Sequence, residues 1–178
     1  MIQPIKVYLC GMIGSGKTTL GIPLARCLGV DFYDLDRKMD SILGYSFHIL
    51  IKEKGWVAFR ELEYKICKQF AQLDNALICL GGGTVRYEWN MDVLKDTGLF
   101  ILLTAPIEEL IERVRKADRP RVNPGLSLEE DIRQIWESSR EKYYSAADIV
   151  YDTYGKSIEQ SVAELKKIVL ERFSGQPL

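Results

Sequence analysis

The segment Gly11-Met-Ile-Gly-Ser-Gly16-Lys17-Thr18 sets two glycines five residues apart, then a lysine and a hydroxyl residue. This is the G-x-x-x-x-G-K-[ST] pattern of a polyphosphate-binding loop. Glycines let backbone N–H groups turn inward around phosphate oxygens, and a helix that follows presents its positive end to them. Gly11, Gly14, Ser15, Gly16, Lys17, Thr18 and Thr19 are the candidate nucleotide ligands. Lys17 reaches the β- and γ-phosphates, and the Thr18 hydroxyl is a candidate magnesium ligand. The loop implies a bound nucleoside triphosphate and leaves open what receives its phosphate.

Several residues could serve an acceptor. Asp34 and Asp36 form an Asp-x-Asp where a strand ends, so an extended backbone turns both carboxylates the same way. One could orient magnesium and the other the attacking hydroxyl. The competing reading makes Asp36 the N-cap of the following helix. Arg60 borders the apolar stripe Phe59, Leu62, Ile66 and Phe70, with Glu63 one turn on to brace it. A guanidinium so held grips a planar carboxylate with two parallel bonds. Arg140 shares the series Ile132, Trp136, Arg140, Tyr144 at i, i+4 spacing, and a cation on a partly apolar face requires an anion or solvent. Gly81, Gly82 and Gly83 stand where many phosphate-loop proteins carry an acidic residue. They permit unusual dihedrals and let a ligand reach bare backbone amides. Between residues 113 and 121, Arg113, Arg115, Lys116, Arg119 and Arg121 are offset only by Asp118, with Pro120, Pro124 and Gly125 making the second half loop-like. This reads as a mobile lid that delivers an arginine to the transferring phosphate.

These residues need a scaffold, and the pattern of elements supplies one. Strands are expected at Ile5–Cys10, Asp31–Asp34, Ala76–Leu80, Leu99–Leu103 and Ile149–Tyr151. Helices are expected from Lys17 to about Leu28, from Arg37 to about Leu73 with breaks near Gly44 and Gly55, and from about Glu88 to Lys95. Pro106 suits the first turn of another helix. Ser127-x-x-Glu130 and Ser157-x-x-Gln160 read as capping boxes opening two more. Strands alternating with helices imply an α/β fold with a mostly parallel sheet covered on both faces, and ligands outside the strands' carboxyl ends.

Composition narrows the classes. The chain has 178 residues, of which 47% are apolar and 28% charged, in the globular range. Lys plus Arg number 24 against 25 Asp plus Glu, a net charge of −1 that argues against a nucleic-acid binder. The most apolar run, Leu99–Leu103, is far short of the ~20 residues of a membrane-spanning helix. The first residues have no signal-peptide layout. Cys10, Cys27, Cys67 and Cys79 form no CxxC pair and read as reduced core residues of a cytoplasmic protein. His48 stands without a paired cysteine, which argues against zinc. No repeat or linker interrupts the chain, so a single domain over 1–178 is expected.

Taken together, the residues resemble the shikimate kinase family over nearly the whole chain. The motifs run in the family's order: Gly11–Thr19, Asp34-Leu-Asp36, Gly55-Trp-Val-Ala-Phe-Arg60-Glu-Leu-Glu63, Gly81-Gly82-Gly83, Asp118-Arg119-Pro120, and Arg140-Glu-Lys-Tyr-Tyr144 leading to Ala147–Thr153. The resemblance implies a three-layer α/β/α fold of the nucleoside monophosphate kinase type. Its parallel sheet would have five strands in the order 2-3-1-4-5. A substrate-binding helical segment would span about 35–63 and a lid about 114–126. It implies magnesium-dependent transfer of the ATP γ-phosphate to the 3-hydroxyl of shikimate, by a monomer. By position, Asp36, Arg60, Gly81, Gly82, Gly83 and Arg140 correspond to the shikimate site, and Thr18 and Asp34 to the magnesium site. Arg119 corresponds to the lid arginine, and Arg113 and Lys156 fall near positions flanking adenine. With Lys17, Asp36 and Arg119 would carry catalysis. Two departures stand out: Trp56 replaces the family's usual Glu, and Arg121-Val-Asn-Pro124 replaces aliphatic residues after the lid. The residues alone also admit a kinase of another hydroxy acid such as gluconate, or an inactive nucleotide-binding regulatory module.

Overall fold

The computed structural model describes residues 4–115 and 120–174. Five strands, β1 (Lys6–Cys10), β2 (Asp31–Asp34), β3 (Ala76–Cys79), β4 (Leu99–Thr104) and β5 (Ile149–Asp152), form one sheet in the order β2-β3-β1-β4-β5, every pair parallel. Apart from Lys6 at the start of β1 and Thr104 at the end of β4, the central strands are apolar because both of their faces are covered. Alternation divides them. Val7 and Leu9 of β1, with Leu99, Ile101 and Leu103 of β4, join the core under α1 (Lys17–Leu28) and α7 (Ile158–Phe173). Tyr8, Cys10, Phe100 and Leu102 face the opposite core. That face is covered by α2 (Leu35–Leu43), α3 (Phe47–Phe70), α4 (Glu88–Leu94), α5 (Ile107–Val114) and α6 (Leu128–Ala146). The result is the expected α/β/α sandwich in the expected strand order.

Where the structure departs from the sequence reading, local hydrogen bonds give the reason. Helix α2 starts at Leu35 because Asp34, not Asp36, is its N-cap and accepts a bond from Arg37 N at 3.1 Å. Gly44 ends α2 in the left-handed region, whereas Gly55 (φ 81°, ψ 176°) only kinks α3. Thr84–Arg86 folds as a 3-10 turn absent from the pattern of periodicities. Ser127 and Glu130 make both bonds of their box. Gln160 lends Ser157 only its backbone N–H, since its side chain is taken by Glu164 at 2.9 Å. All four cysteines are free, but Cys27 is exposed rather than in the core. Among the described residues, no helix is long and apolar enough to cross a membrane.

Candidate active site

A cavity of about 630 Å³ opens at the carboxyl ends of β1 and β3, where an open parallel sheet leaves room for a ligand. The phosphate loop forms one wall. Gly11, Gly14 and Gly16 have φ of 141°, 79° and 93°, conformations that L side chains rarely adopt, and a Cβ at Gly11 would stand 2.5 Å from Leu103 O. No side chain caps the first turn of α1, so its amides are left to a ligand. Lys17 Nζ donates to Gly11 O at 2.8 Å and Met12 O at 3.0 Å. The Thr18 hydroxyl donates to Asp34 Oδ2 at 2.7 Å, placing a hydroxyl and a carboxylate oxygen side by side. Two hard oxygens beside a phosphate loop fit magnesium, which keeps several waters and takes its other ligands from phosphate.

The acceptor wall is built around Arg60. Its Nη1 bonds Glu63 Oε2 at 2.7 Å, and its guanidinium lies 4.3, 4.7 and 5.3 Å from the ring centroids of Tyr87, Phe59 and Trp56. Glu63 is fully buried and also accepts from Thr84 Oγ1 at 2.8 Å and Asn90 Nδ2 at 3.1 Å, so its charge is paired and its lone pairs are used. Arg60 Nε is buried with no hydrogen-bond partner among the described residues.

Close approach explains the glycine triplet. A Cβ at Gly81 would lie 3.0 Å from Thr84 Oγ1 and 3.4 Å from Asp36 Oδ1, one at Gly82 3.2 Å from Ile13 N, and one at Gly83 3.0 Å from Arg60 Nη2. None of the three has positive φ, so crowding rather than dihedral freedom disfavours a side chain, since the neighbours would have to give by a few tenths of an ångström.

At the far end, Arg113 Nη1 donates to Gly14 O at 3.2 Å and its Nε to Glu109 at 2.9 Å. Lys156 Nζ sits 2.9 Å from Glu164 and 4.2 Å from the Tyr151 ring centroid. Bonds from Lys156, Tyr151 and Gln160 pull the Glu164 carboxyl down to about 2.

Of the residues singled out in the sequence, Gly14, Ser15, Gly16, Lys17, Thr18, Thr19, Asp36, Arg60, Gly81, Gly82, Gly83, Arg113 and Lys156 all line this one cavity. Gly11 and Asp34 adjoin it through Lys17 and Thr18. Arg119 lies outside the described residues. Arg140 differs from its expectation: it is exposed on α6 and is not among the lining residues. Steps of four residues drift about 40° each around a helix of 3.6 residues per turn. The buried stripe therefore runs Ile132, Ser139, Tyr143, and leaves Arg140 and Tyr144 on its outer flank. Tyr143 was missed for the same reason. It is buried, donates to Gly82 O at 2.7 Å, and burial pushes its phenol well up. Arg86, His48 and Asp131 also line the cavity. Only Arg86 had a legible cue, a cation three residues past the glycine triplet.

The shikimate kinase family profile matches residues 13–170. A shikimate kinase of Persephonella marina is 36% identical over 160 residues, 89% of this chain and 95% of that protein. Among solved structures, shikimate kinase from Acinetobacter baumannii in complex with shikimate superposes with a TM-score of 0.84 at 25% identity, covering 97% of this chain and 93% of that one. Shikimate kinase from Bacteroides thetaiotaomicron gives 0.82 at 30% identity, covering 93% and 98%. The chain belongs to the shikimate kinase family. It is accordingly an ATP-dependent kinase with a phosphate-loop fold. Of the positions where it departs from the family pattern, Trp56 and Val122 line the cavity. Trp56 lies beside Arg60 and donates from Nε1 to Arg121 O at 3.3 Å. Asp131 accepts from Val122 N at 3.0 Å and Asn123 N at 2.9 Å, tying down the segment after Pro120.

Proposed function

We propose that the chain transfers the γ-phosphoryl group of magnesium-bound ATP to the 3-hydroxyl of shikimate, giving shikimate 3-phosphate and ADP. One observation carries this reading: a single cavity holds the phosphate loop, the Asp36 carboxylate and an Arg60 guanidinium braced by Glu63.

The loop amides from Gly11 to Thr19 and the Lys17 ammonium hold the β- and γ-phosphates and take up the charge that spreads over the transferred group. Thr18 and Asp34 would hold magnesium, which when bound neutralises phosphate charge. Asp36 orients the acceptor hydroxyl and receives its proton as the new oxygen–phosphorus bond forms and the bond to the β-phosphate oxygen breaks. Arg60 grips the shikimate carboxylate, and the triplet Gly81, Gly82, Gly83 lets the ring approach backbone. Arg113 and Lys156 flank the adenine. Arg119, in a lid of about 114–126 within a single domain, adds a cation over the phosphates. Every group invoked belongs to one chain, so a monomer suffices, and free cysteines suit the reducing cytoplasm.

The test is ADP release from ATP and magnesium with and without shikimate. Arg60→Ala should raise the shikimate KM by the equivalent of about 1.5–3 kcal/mol, the worth of charge-assisted hydrogen bonds, with the ATP KM nearly unchanged. Release no faster with shikimate than without it, by the wild-type protein, overturns the proposal.

A further inference from the structure

The cations lining the cavity differ in how they are paired. Arg60 is matched by Glu63, Arg113 by Glu109 and Lys156 by Glu164. Arg86 is not matched. Its Nε donates at 3.0 Å to the hydroxyl of Ser139, and its backbone carbonyl accepts from Lys142 at 3.0 Å. Neither partner is an anion, and Arg86 has no carboxylate partner among the described residues. A half-buried guanidinium held by a neutral hydroxyl keeps its charge available, and the favourable way to compensate it is an anionic ligand.

Its position says which part of a ligand it meets. Arg86 ends the 3-10 turn that follows the glycine triplet. Its guanidinium lies 6.0 Å from the centroid of the Tyr87 ring, against which Arg60 packs at 4.3 Å. Arg86 and Arg60 both act electrostatically on the buried Tyr143 hydroxyl, itself bonded to Gly82 O at 2.7 Å. The two guanidinium groups thus converge from α3 and from the turn after β3 onto the acceptor wall. The exposed Arg140 does not share that wall.

We propose that Arg86 is a substrate-binding residue that shares the acceptor's carboxylate with Arg60, the second arm of the clamp. This rests on the acceptor being the carboxylate-bearing shikimate proposed above. Ser139 would act as a positioning residue that holds the Arg86 side chain across the face of α6.

Steady-state kinetics of the full chain test it. Arg86→Met should raise the shikimate KM at least tenfold while kcat and the ATP KM stay within twofold, and Arg86→Lys should recover part of the loss. The binding constant of shikimamide, in which the carboxylate is replaced by a neutral amide, should differ less than twofold between wild type and Arg86→Met. A merely structural role would weaken both ligands equally. An unchanged shikimate KM in Arg86→Met, or an equal penalty with shikimamide, overturns the inference while the proposed function stands. A wild-type protein silent toward shikimate overturns both.

Discussion

At Arg60 and Glu63 the protein keeps a charged pair in its interior, and the geometry shows what that does for binding. Glu63 is fully buried and the Arg60 side chain is 12% exposed, so neither charge has much water to fall back on. Glu63 fixes one edge of the guanidinium, and the three rings around Arg60 keep its plane from turning. Breaking one member of such a pair leaves the other charge uncompensated, typically at a cost of 3–5 kcal/mol. The rings offset part of this through the cation–π attraction. Glu63→Gln, nearly equal in shape, should therefore lower stability by about 3 kcal/mol in urea unfolding and raise the shikimate KM, because the clamp loses its rigidity. A loss below about 1 kcal/mol would mean that Arg60 is held by the rings alone. The Asp34–Asp36 pair shows a division of labour that sequence left open. Asp34 caps α2 and bonds Thr18, which leaves Asp36 in the first turn with its carboxylate beside Gly81.

Helices and strands were legible wherever one period dominated. The runs at 76–79 and 99–103 declared themselves because parallel strands buried on both faces are apolar without interruption, whereas the edge strand 31–34, Asp-Phe-Tyr-Asp, is only partly buried. The family's motif order, not periodicity, supplied the strand order. Where two rows of a helix compete, sequence picked the wrong one. The i, i+4 ladder on α6 leads to Arg140, the i+7 and i+11 steps lead to Ser139 and Tyr143, and only packing against the Gly81–Arg86 segment decides between them. The turn carrying Arg86 was invisible because three residues show no period. Gly55 was legible as a break, and the structure shows its consequence. With φ 81° and ψ 176° inside α3, it re-aims the helix just before Trp56 and Arg60. A Cβ there would meet nothing within 4 Å, so Gly55→Ala incurs only backbone strain, about 1–3 kcal/mol. If the chain relieves that strain by straightening, Arg60 moves off the acceptor wall. The variant should bind shikimate more weakly with an ATP KM within twofold of wild type. Unaltered stability and shikimate KM together would show that the kink positions nothing.

Across the whole molecule, the tight sheet-centred core confines a set of weak acids that must stay neutral to stay buried. Burial pushes the Cys10 thiol and the Tyr8 phenol up to about 12, and raises Cys67, Cys79 and Tyr143 further, with Glu63 adding to the effect at Cys67. In the unfolded chain the thiols ionise near 9.0 and the phenols near 10.0. Above pH 9 the unfolded state therefore binds fewer protons than the folded one, and stability falls as pH rises. The contribution is fully present below pH 9 and is lost progressively as pH climbs through the folded-state values. Each fully released thiol costs about 1.4 kcal/mol per pH unit. Three thiols ionising together should remove about 4 kcal/mol between pH 9.5 and 10.5, a large share of the 5–15 kcal/mol typical of a folded domain. Urea unfolding under reducing conditions across that interval measures the fall directly. Cys67→Ala, whatever it does to absolute stability, should make the fall shallower by about a quarter, since one of three ionising thiols is gone while the Tyr8 and Tyr143 phenols still contribute. A midpoint that holds steady to pH 10.5, or an undiminished slope in the variant, would mean the core opens enough water to these groups to ionise them in place.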